Sequence, residues 1–557
     1  MRLDDSYDLV VVGSGAGGMT AALTAAKMGR SVVVLEKESA FGGSTSRSGG
    51  AVWIPCNAHM GPAGVPDDFD TAMRYIEACC VEHTSAATRE RMEAYVRTGP
   101  EMLSFLESEG LEVDYLKGYS DYYDERPGGQ PQGRSIAARM IDSRELGAWG
   151  TRMNRYAMFA APVGLLEFPP LSNAATTFKG KIVALKVGWR MMLQKLRKAD
   201  ILSQGSALQG RMLKLALERG VPVLLEAPVL DLIVERGRVA GVVVDTGGAK
   251  QTVRAGAVLL NAGGFSANAA LRERHLPGPQ QDGAANYLGN PGDTGEVLEK
   301  AIALGAATDQ LEESWWVPGG QIPGGMPVSH TIDLSKPHCI MVDQSGQRYL
   351  DEAQGYMEIG QTMFARNRQV PAVPSWAIFD SRHRKRYGWG MAMPGKTPPE
   401  WLESGYLKKA DTLAGLAALC AIPANGLAAT VERFNAFARQ GRDEDFARGA
   451  RAYDRMNGDP SNKPNPSLGT VEQGPFYAAP VHVGDVGTCG GLVTDADGRV
   501  LKHDGSAIGG LYASGNIAAN CFGRAYPGPG ITIGQSMIFG YRAARAALGA
   551  NSQPERQ

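Results

Sequence analysis

The sequence predicts an α/β protein built on a Rossmann-like parallel sheet whose strands come from distant parts of the chain. Three observations predict it. Residues 7–38, YDLVVVGSGAGGMTAALTAAKMGRSVVVLEKE, read as strand, glycine turn, alanine-rich helix and second strand. AGAVLLNAGGF (255–265) is a later apolar strand running into Ala262, Gly263 and Gly264. GGLYASGNIAA (509–519) is another strand entering a glycine turn, at Gly515 and Asn516. Unbroken apolar runs bounded by glycine suit strands covered on both faces, and their spread makes the unit discontinuous.

The first stretch carries a ligand signature. Gly13-Ser14-Gly15-Ala16-Gly17-Gly18 lies between strand and helix, and Glu36 ends the second strand with Lys37 beside it. This is the dinucleotide fingerprint in its required context. Gly13 makes the turn, Gly15 admits the pyrophosphate, and Gly18 lets helix pack on strand. The phosphates are expected at the helix N-terminus, and Glu36 at the ribose. FGGSTSRSGGAVWIPCN (41–57) follows directly. NAD does not need this second loop. FAD is longer and can use it: Ser44, Thr45 and Ser48 offer hydroxyls, while Gly42, Gly43, Gly49 and Gly50 let backbone come close. Residues 220–244 alternate like a hairpin, with Val229 at the edge where an adenine fits. GDTG (292–295) reads as a helix start capped by Asp293 or Thr294. Arg47 reads as a surface charge, and 442–455, rich in both signs, as exposed helix.

Bulk composition narrows the rest. The 557 residues are 43% hydrophobic and 21% charged, with net charge −1. That suits one very large core or two, and gives no overall field for nucleic acid. Seven cysteines are scattered without CxxC or zinc spacing, so no metal centre is expected and a reducing, cytoplasmic setting is. Asp4 and Asp5 follow the start at once, unlike a secretory signal. No apolar run is long enough to span a membrane.

The chain resembles the flavoprotein family of fumarate reductase, succinate dehydrogenase, urocanate reductase and 3-ketosteroid dehydrogenase subunits over nearly its full length. The resemblance implies an FAD-binding domain interrupted by an α+β catalytic cap, with boundaries at 1–278, 279–480 and 481–557. Dicarboxylate enzymes of this family anchor their substrates with histidine and arginine. ANCFGRAYPGPG (519–530) has Arg524 but no histidine, and GTCGGL (487–492) lacks the histidine expected before it. Residues 41–48 hold no histidine for a flavin link, so FAD is expected to be non-covalent. Three stretches instead resemble the 3-ketosteroid Δ1-dehydrogenases: AYPGPGITIGQSMIFGY (525–541), the aromatic turn GYSDYYDERPGG (118–129), and RYLDEAQGY (348–356), which is similar to a cap strand ending in a catalytic tyrosine. Trp315-Trp316 also suits that cap.

The resemblance implies roles. Tyr526 and the Gly530 N–H polarise a C3 carbonyl, Tyr356 takes the C2 proton, and Tyr122 hydrogen-bonds Tyr356. FAD takes the C1 hydride. Pro527 and Pro529 stiffen the loop, and the helix beginning near Gly530 and Ile531 faces the flavin with its positive end. The implied function is 1,2-dehydrogenation of 3-ketosteroids; alternatives are a Δ4-type dehydrogenase or an ene-reductase. A non-enzymatic flavin module does not need a cap of about 200 residues. No second dinucleotide fold is present, so electrons pass to an external acceptor, a quinone or similar. The basic, apolar stretch 178–200 reads first as a surface helix with its apolar face on the domain, and alternatively as a peripheral membrane contact.

Overall fold

The computed structural model describes residues 3–156, 160–277 and 287–549. The first unit begins with β1 (Ser6–Val12), α1 (Ala16–Lys27) and β2 (Val32–Leu35). After α2 (Phe178–Leu196) come β3 (Val223–Leu224), β4 (Val229–Glu235), β5 (Arg238–Asp245) and β6 (Lys250–Leu260). The chain then runs through α3 (Glu296–Ala303), β7 (Ser314–Gln321), β8 (Pro327–Ser329), β9 (Cys339–Val342), α4 (Tyr356–Asn367), β10 (Ser375–Phe379) and β11 (Lys408–Ala410). It closes with β12 (Phe476–Thr488), β13 (Arg499–Leu501), β14 (Ala507–Ala513) and α5 (Ile531–Gly549).

The first sheet has the order β13-β14-β6-β1-β2-β3. Its centre is parallel: Val10 lies opposite Val33 on one side and Val258 on the other, and Val258 lies opposite Leu511. Four-residue and seven-residue apolar strands thus meet from both ends of the chain, and the expected α/β, Rossmann-like class holds. β4 and β5 form the expected hairpin and join through β6. α5 returns onto α1 glycine to glycine: a Cβ on Gly540 would lie 2.3 Å from the Gly17 carbonyl oxygen. This close approach packs the first turn of α1 against the middle of α5.

The second sheet is antiparallel, in the order β8-β7-β12-β10-β9, with β11 also on β12. β12 is its spine, pairing β10 through Val481 and β7 from His482 to Thr488. The expected boundary at residue 480 falls inside this strand, and residue 279 lies outside the described residues.

Four local expectations change. Residues 348–355 form turns rather than a strand, and Tyr356 opens α4. Gly295, at φ 80°, caps α3 without a side chain; Asp293 is buried and accepts from Ser44 Oγ at 2.8 Å. The charged stretch 442–455 is mostly turn and partly core: Arg448 pairs with Glu352 and Asp443 with Arg348, all buried. Opposite charges spaced along the sequence had partners elsewhere in the fold.

The fourth change concerns α2. Its apolar side faces out, with Phe178 79%, Leu185 75%, Trp189 60% and Leu196 71% exposed, and Met191 and Met192 outside the core as well. The helix rests on the body by its other side. Gly180 sits against the carbonyls of Pro170 and Asn173, and Arg190 and Lys186 pair with Glu167. Glycine, charge and the single buried apolar residue Val187 make the attachment, and most of the other apolar residues stay outside it.

Candidate active site

One cavity of about 920 Å³ runs between the two units. Its first end is built of backbone. Gly13, Ser14 and Gly15 line it together with Glu36, Lys37, Gly43, Ser44, Thr45, Ser48, Gly49, Gly50, Val229, Ala262, Gly263, Gly515 and Asn516. Ala16, Gly17, Gly18, Gly42, Gly264 and Ile531 do not line it. Gly17 and Gly18 donate their N–H groups to Ser536 Oγ and Asn261 Oδ1, at 3.1 and 2.9 Å. They hold the back wall, which leaves the facing surface to Gly13, Ser14 and Gly15. Gly264 is needed because a Cβ there would strike Thr488 Oγ1. Glu36 accepts from Ser14 N–H and Ser14 Oγ, at 3.0 and 2.6 Å, which ties the turn to the second strand. Lys37 is engaged with Glu296.

The other end is built of phenols. Tyr526 lies between Tyr122 and Tyr356, with ring centroids 5.3 and 5.1 Å away, and Trp315 stands edge-on at 5.3 Å. Each side chain arrives from a different element. Tyr122 is fixed by its turn: buried Asp121 beside it accepts from Trp53 Nε1 at 2.8 Å and pairs with buried Arg134. Tyr356 opens α4, which packs closely on β7 through Gly360 against Trp316. The loop carrying Tyr526 is held at its two prolyl carbonyls. Pro527 O accepts from Tyr122 N–H at 3.1 Å and from Tyr75 Oη at 2.5 Å, and Pro529 O accepts from Ser135 Oγ at 2.7 Å. Gly530 then turns at φ 97° with Ala51 O so close that a Cβ would lie 2.2 Å from it. Only glycine fits there.

Burial pushes all three phenols above their ordinary range. On Tyr356 the Tyr526 phenol adds to the rise, and the hydrogen-bonding pull of Tyr122 opposes it. On Tyr526 the opposing influences are Tyr356, Thr532 and the Gly530 N–H. Tyr356 has a further device that a strand could not provide: as the first residue of α4, it sits where the helix favours an anion. The Gly530 N–H and the Tyr526 phenol lie within hydrogen-bonding reach of each other, and both line the cavity.

The chain was compared with known proteins. Residues 8–533 match the family model described as FAD binding domain. A 3-oxosteroid 1-dehydrogenase of Mycobacterium tuberculosis is 43% identical, over 97% of each chain. A 4-oxocyclohexanecarboxylate 2-dehydrogenase of Sinomonas cyclohexanicum is 37% identical, over 98% of this chain and 93% of the other. The solved 3-ketosteroid Δ1-dehydrogenase of Sterolibacterium denitrificans, in complex with 1,4-androstadiene-3,17-dione, superposes with a TM-score of 0.91 at 35% identity, covering 98% of this chain and all of that one. The chain belongs to the 3-oxosteroid 1-dehydrogenase family of FAD-binding flavoproteins.

FAD is the cofactor of this family, and the first end of the cavity fits it. α1 starts at Gly15 with no side-chain cap and no acid in its first turn, the condition for receiving phosphate. Gly43, at φ 49°, has nothing within 4 Å of a Cβ position, so that wall stands open to a ligand. Three residues escaped sequence reasoning. Asp293 meets the loop hydroxyl of Ser44, and burial pushes its carboxyl up to about 6. Arg47 lines the cavity and lies over the Tyr156 ring at 5.2 Å, so it is not a surface charge. Tyr453 packs on Tyr122 at 4.5 Å and lines the phenol end; it was hidden inside the charged stretch. The flanking glycines of GDTG were the available signal for Asp293. For Tyr453 no local signal existed.

Among the described residues no histidine lines the cavity. Arg524 is half-exposed and paired with Glu313, so it is not an anchor for a dicarboxylate. Also among the described residues, no helix is long and apolar enough to cross a membrane.

Proposed function

We propose that this protein removes hydrogen from C1 and C2 of 3-ketosteroids. The convergence of Tyr122, Tyr356 and Tyr526 with the Gly530 N–H at one end of the cavity carries the reading. Tyr526 Oη and Gly530 N–H donate to the C3 carbonyl oxygen and hold its growing negative charge, which makes the C2 proton acidic. Tyr356, as phenolate, takes that proton. Tyr122 donates to the Tyr356 oxygen and spreads the anion, and the start of α4 favours it. FAD, when bound, supplies the acceptor for the hydride leaving C1. Electrons and atoms balance: C2–H and C1–H break, a C1–C2 double bond forms, the proton goes to Tyr356, and two electrons go on to an external acceptor of quinone type. Trp315 and the buried phenols keep water from the reacting carbons.

FAD is proposed to be held without a covalent bond, since residues 41–50 offer no histidine or cysteine. The outward apolar side of α2, among exposed Lys179, Lys181, Lys195 and Arg197, supports a reversible contact with anionic lipid, where poorly soluble steroids collect. Leu165, Phe168 and Pro169, just ahead of α2, line the cavity, so the contact lies beside an entry path.

Deuterium exchange tests the chemistry. The wild-type enzyme in D₂O should exchange the C2 proton of androst-4-ene-3,17-dione, read by NMR, and Tyr356→Phe should lose that exchange. Persistence of exchange in the variant would require another base and remove Tyr356 from the mechanism.

A further inference from the structure

The cavity has a polar group that the dehydrogenation does not use. Trp315, beside Tyr526, begins a stretch of β7 that runs away from the phenols. Trp315 and Val317 line the cavity, and Gly319 of the same strand pairs with Ser329 of β8. Four residues at about 3.4 Å each put Ser329 about 13 Å from Trp315. That is comparable to the span between the oxygen substituents at the two ends of a steroid nucleus. At this far end the cavity is lined by Val328, Ser329, Thr331, Ile332, Asp333 and Met391.

Asp333 is the only carboxylate among these six. One of its oxygens, Oδ2, is occupied: it accepts from His330 Nδ1 at 2.9 Å and from the Gly390 N–H at 2.7 Å. His330 is itself buried and stacked on Trp389, ring centroids 4.4 Å apart. The carboxylate is therefore held in one orientation by two donors from two segments. The described residues make no hydrogen bond to its other oxygen, Oδ1, and the side chain stays 15% exposed, in a residue that lines the cavity. The neighbouring hydroxyls of Ser329 and Thr331 bond each other at 2.9 Å and make no described hydrogen bond to Asp333.

We propose that Asp333 is a specificity-determining residue, which selects a hydroxyl over a ketone or a carboxylate on the end of the substrate remote from the C3 carbonyl. The inference rests on the proposed steroid substrate. A carboxylate oxygen can only accept. A hydroxyl donates to it in a charge-assisted bond. A ketone at the same place offers a second acceptor, leaving both oxygens unpaired, and a carboxylate adds like-charge repulsion. The difference between a hydroxyl and a ketone should be about tenfold in affinity.

The test uses oxidised holoenzyme and two product-state steroids that are not turned over: 17β-hydroxyandrosta-1,4-dien-3-one and androsta-1,4-diene-3,17-dione. Dissociation constants are read from perturbation of the flavin spectrum. The wild type should bind the hydroxyl compound about tenfold more tightly. Asp333→Ala should bring the two constants together. Asp333→Asn is the decisive variant. Its oxygen can keep the His330 and Gly390 bonds while its NH₂ turns a donor to the cavity, so the preference should invert toward the ketone. A purely structural role for Asp333 would weaken both ligands alike and leave their ratio unchanged. An unchanged ratio in both variants overturns the inference and leaves the dehydrogenase reading standing. Failure of the wild type to bind either steroid overturns both.

Discussion

The two ends of the cavity are made in opposite ways. The dinucleotide end is made of backbone and short side chains, supplied mostly by runs of neighbouring residues: 13–15, 43–45, 47–50 and 261–263. The phenol end is made of large side chains, one from each of four distant places: Tyr122, Tyr356, Tyr453 and Tyr526. Where a site is made of backbone, a local glycine pattern must encode it. Where it is made of side chains, only the fold brings it together, and its errors and its chemistry should be tunable one residue at a time.

That contrast sets the expected effects. Tyr526→Phe should give the largest loss, about 10²–10³-fold in kcat, because it removes one of two donors to the oxyanion. FAD should remain bound, read as an unchanged flavin-to-protein absorbance ratio. Loss of flavin instead would mean that the two ends are not separable. The reciprocal experiment is Gly15→Ala, where the new Cβ would lie 2.7 Å from Asn261 Oδ1. Overpacking of this kind costs about 1–3 kcal/mol, so FAD affinity should fall about tenfold or more in a titration of the apoprotein. Turnover of the fraction that retains FAD should stay near normal.

Tyr122→Phe should have a smaller effect, about tenfold at neutral pH. The sign of its pH dependence is fixed by the roles. The base must be deprotonated, so kcat/KM rises with pH through the Tyr356 ionisation, which burial already places high. Removing a hydrogen bond to the phenolate raises that pKa further, and the rising limb of the profile should move to higher pH. A limb that stays in place would make Tyr122 a packing residue only. The mildest effect should come from α2. Replacing Leu185 and Trp189 with Ser should weaken sedimentation with anionic vesicles about tenfold, while turnover of detergent-solubilised steroid is unaffected.

Legibility in the sequence follows the same division. The strand, GxGxxG turn, helix and Glu36 were readable in order because each depends on its neighbours. The discontinuous sheet was readable because β6 and β14 are unbroken apolar runs that end in glycine. Tyr122, Tyr356 and Tyr526 were reached through a family resemblance, not through spacing, since nothing in 118–129 or 348–356 points at the other. Tyr453 and Asp293 were misjudged for one reason: charge or glycine around them read as exposed helix or cap, and partners distant in the sequence turned that charge inward. The error on α2 was the reverse. Its apolar residues read as a packing face, but only Val187 among them is buried, and Gly180 and the Glu167 ion pairs supply the rest of the attachment.

The central claim is that the phenol end directs oxidation to C1 and C2. The most direct measurement is anaerobic: mix the oxidised holoenzyme with androst-4-ene-3,17-dione, follow the flavin absorbance, and identify the product by mass and NMR. The account predicts bleaching with one equivalent of a new C1–C2 double bond. An unbleached flavin, or a double bond formed elsewhere in the ring system, would contradict it.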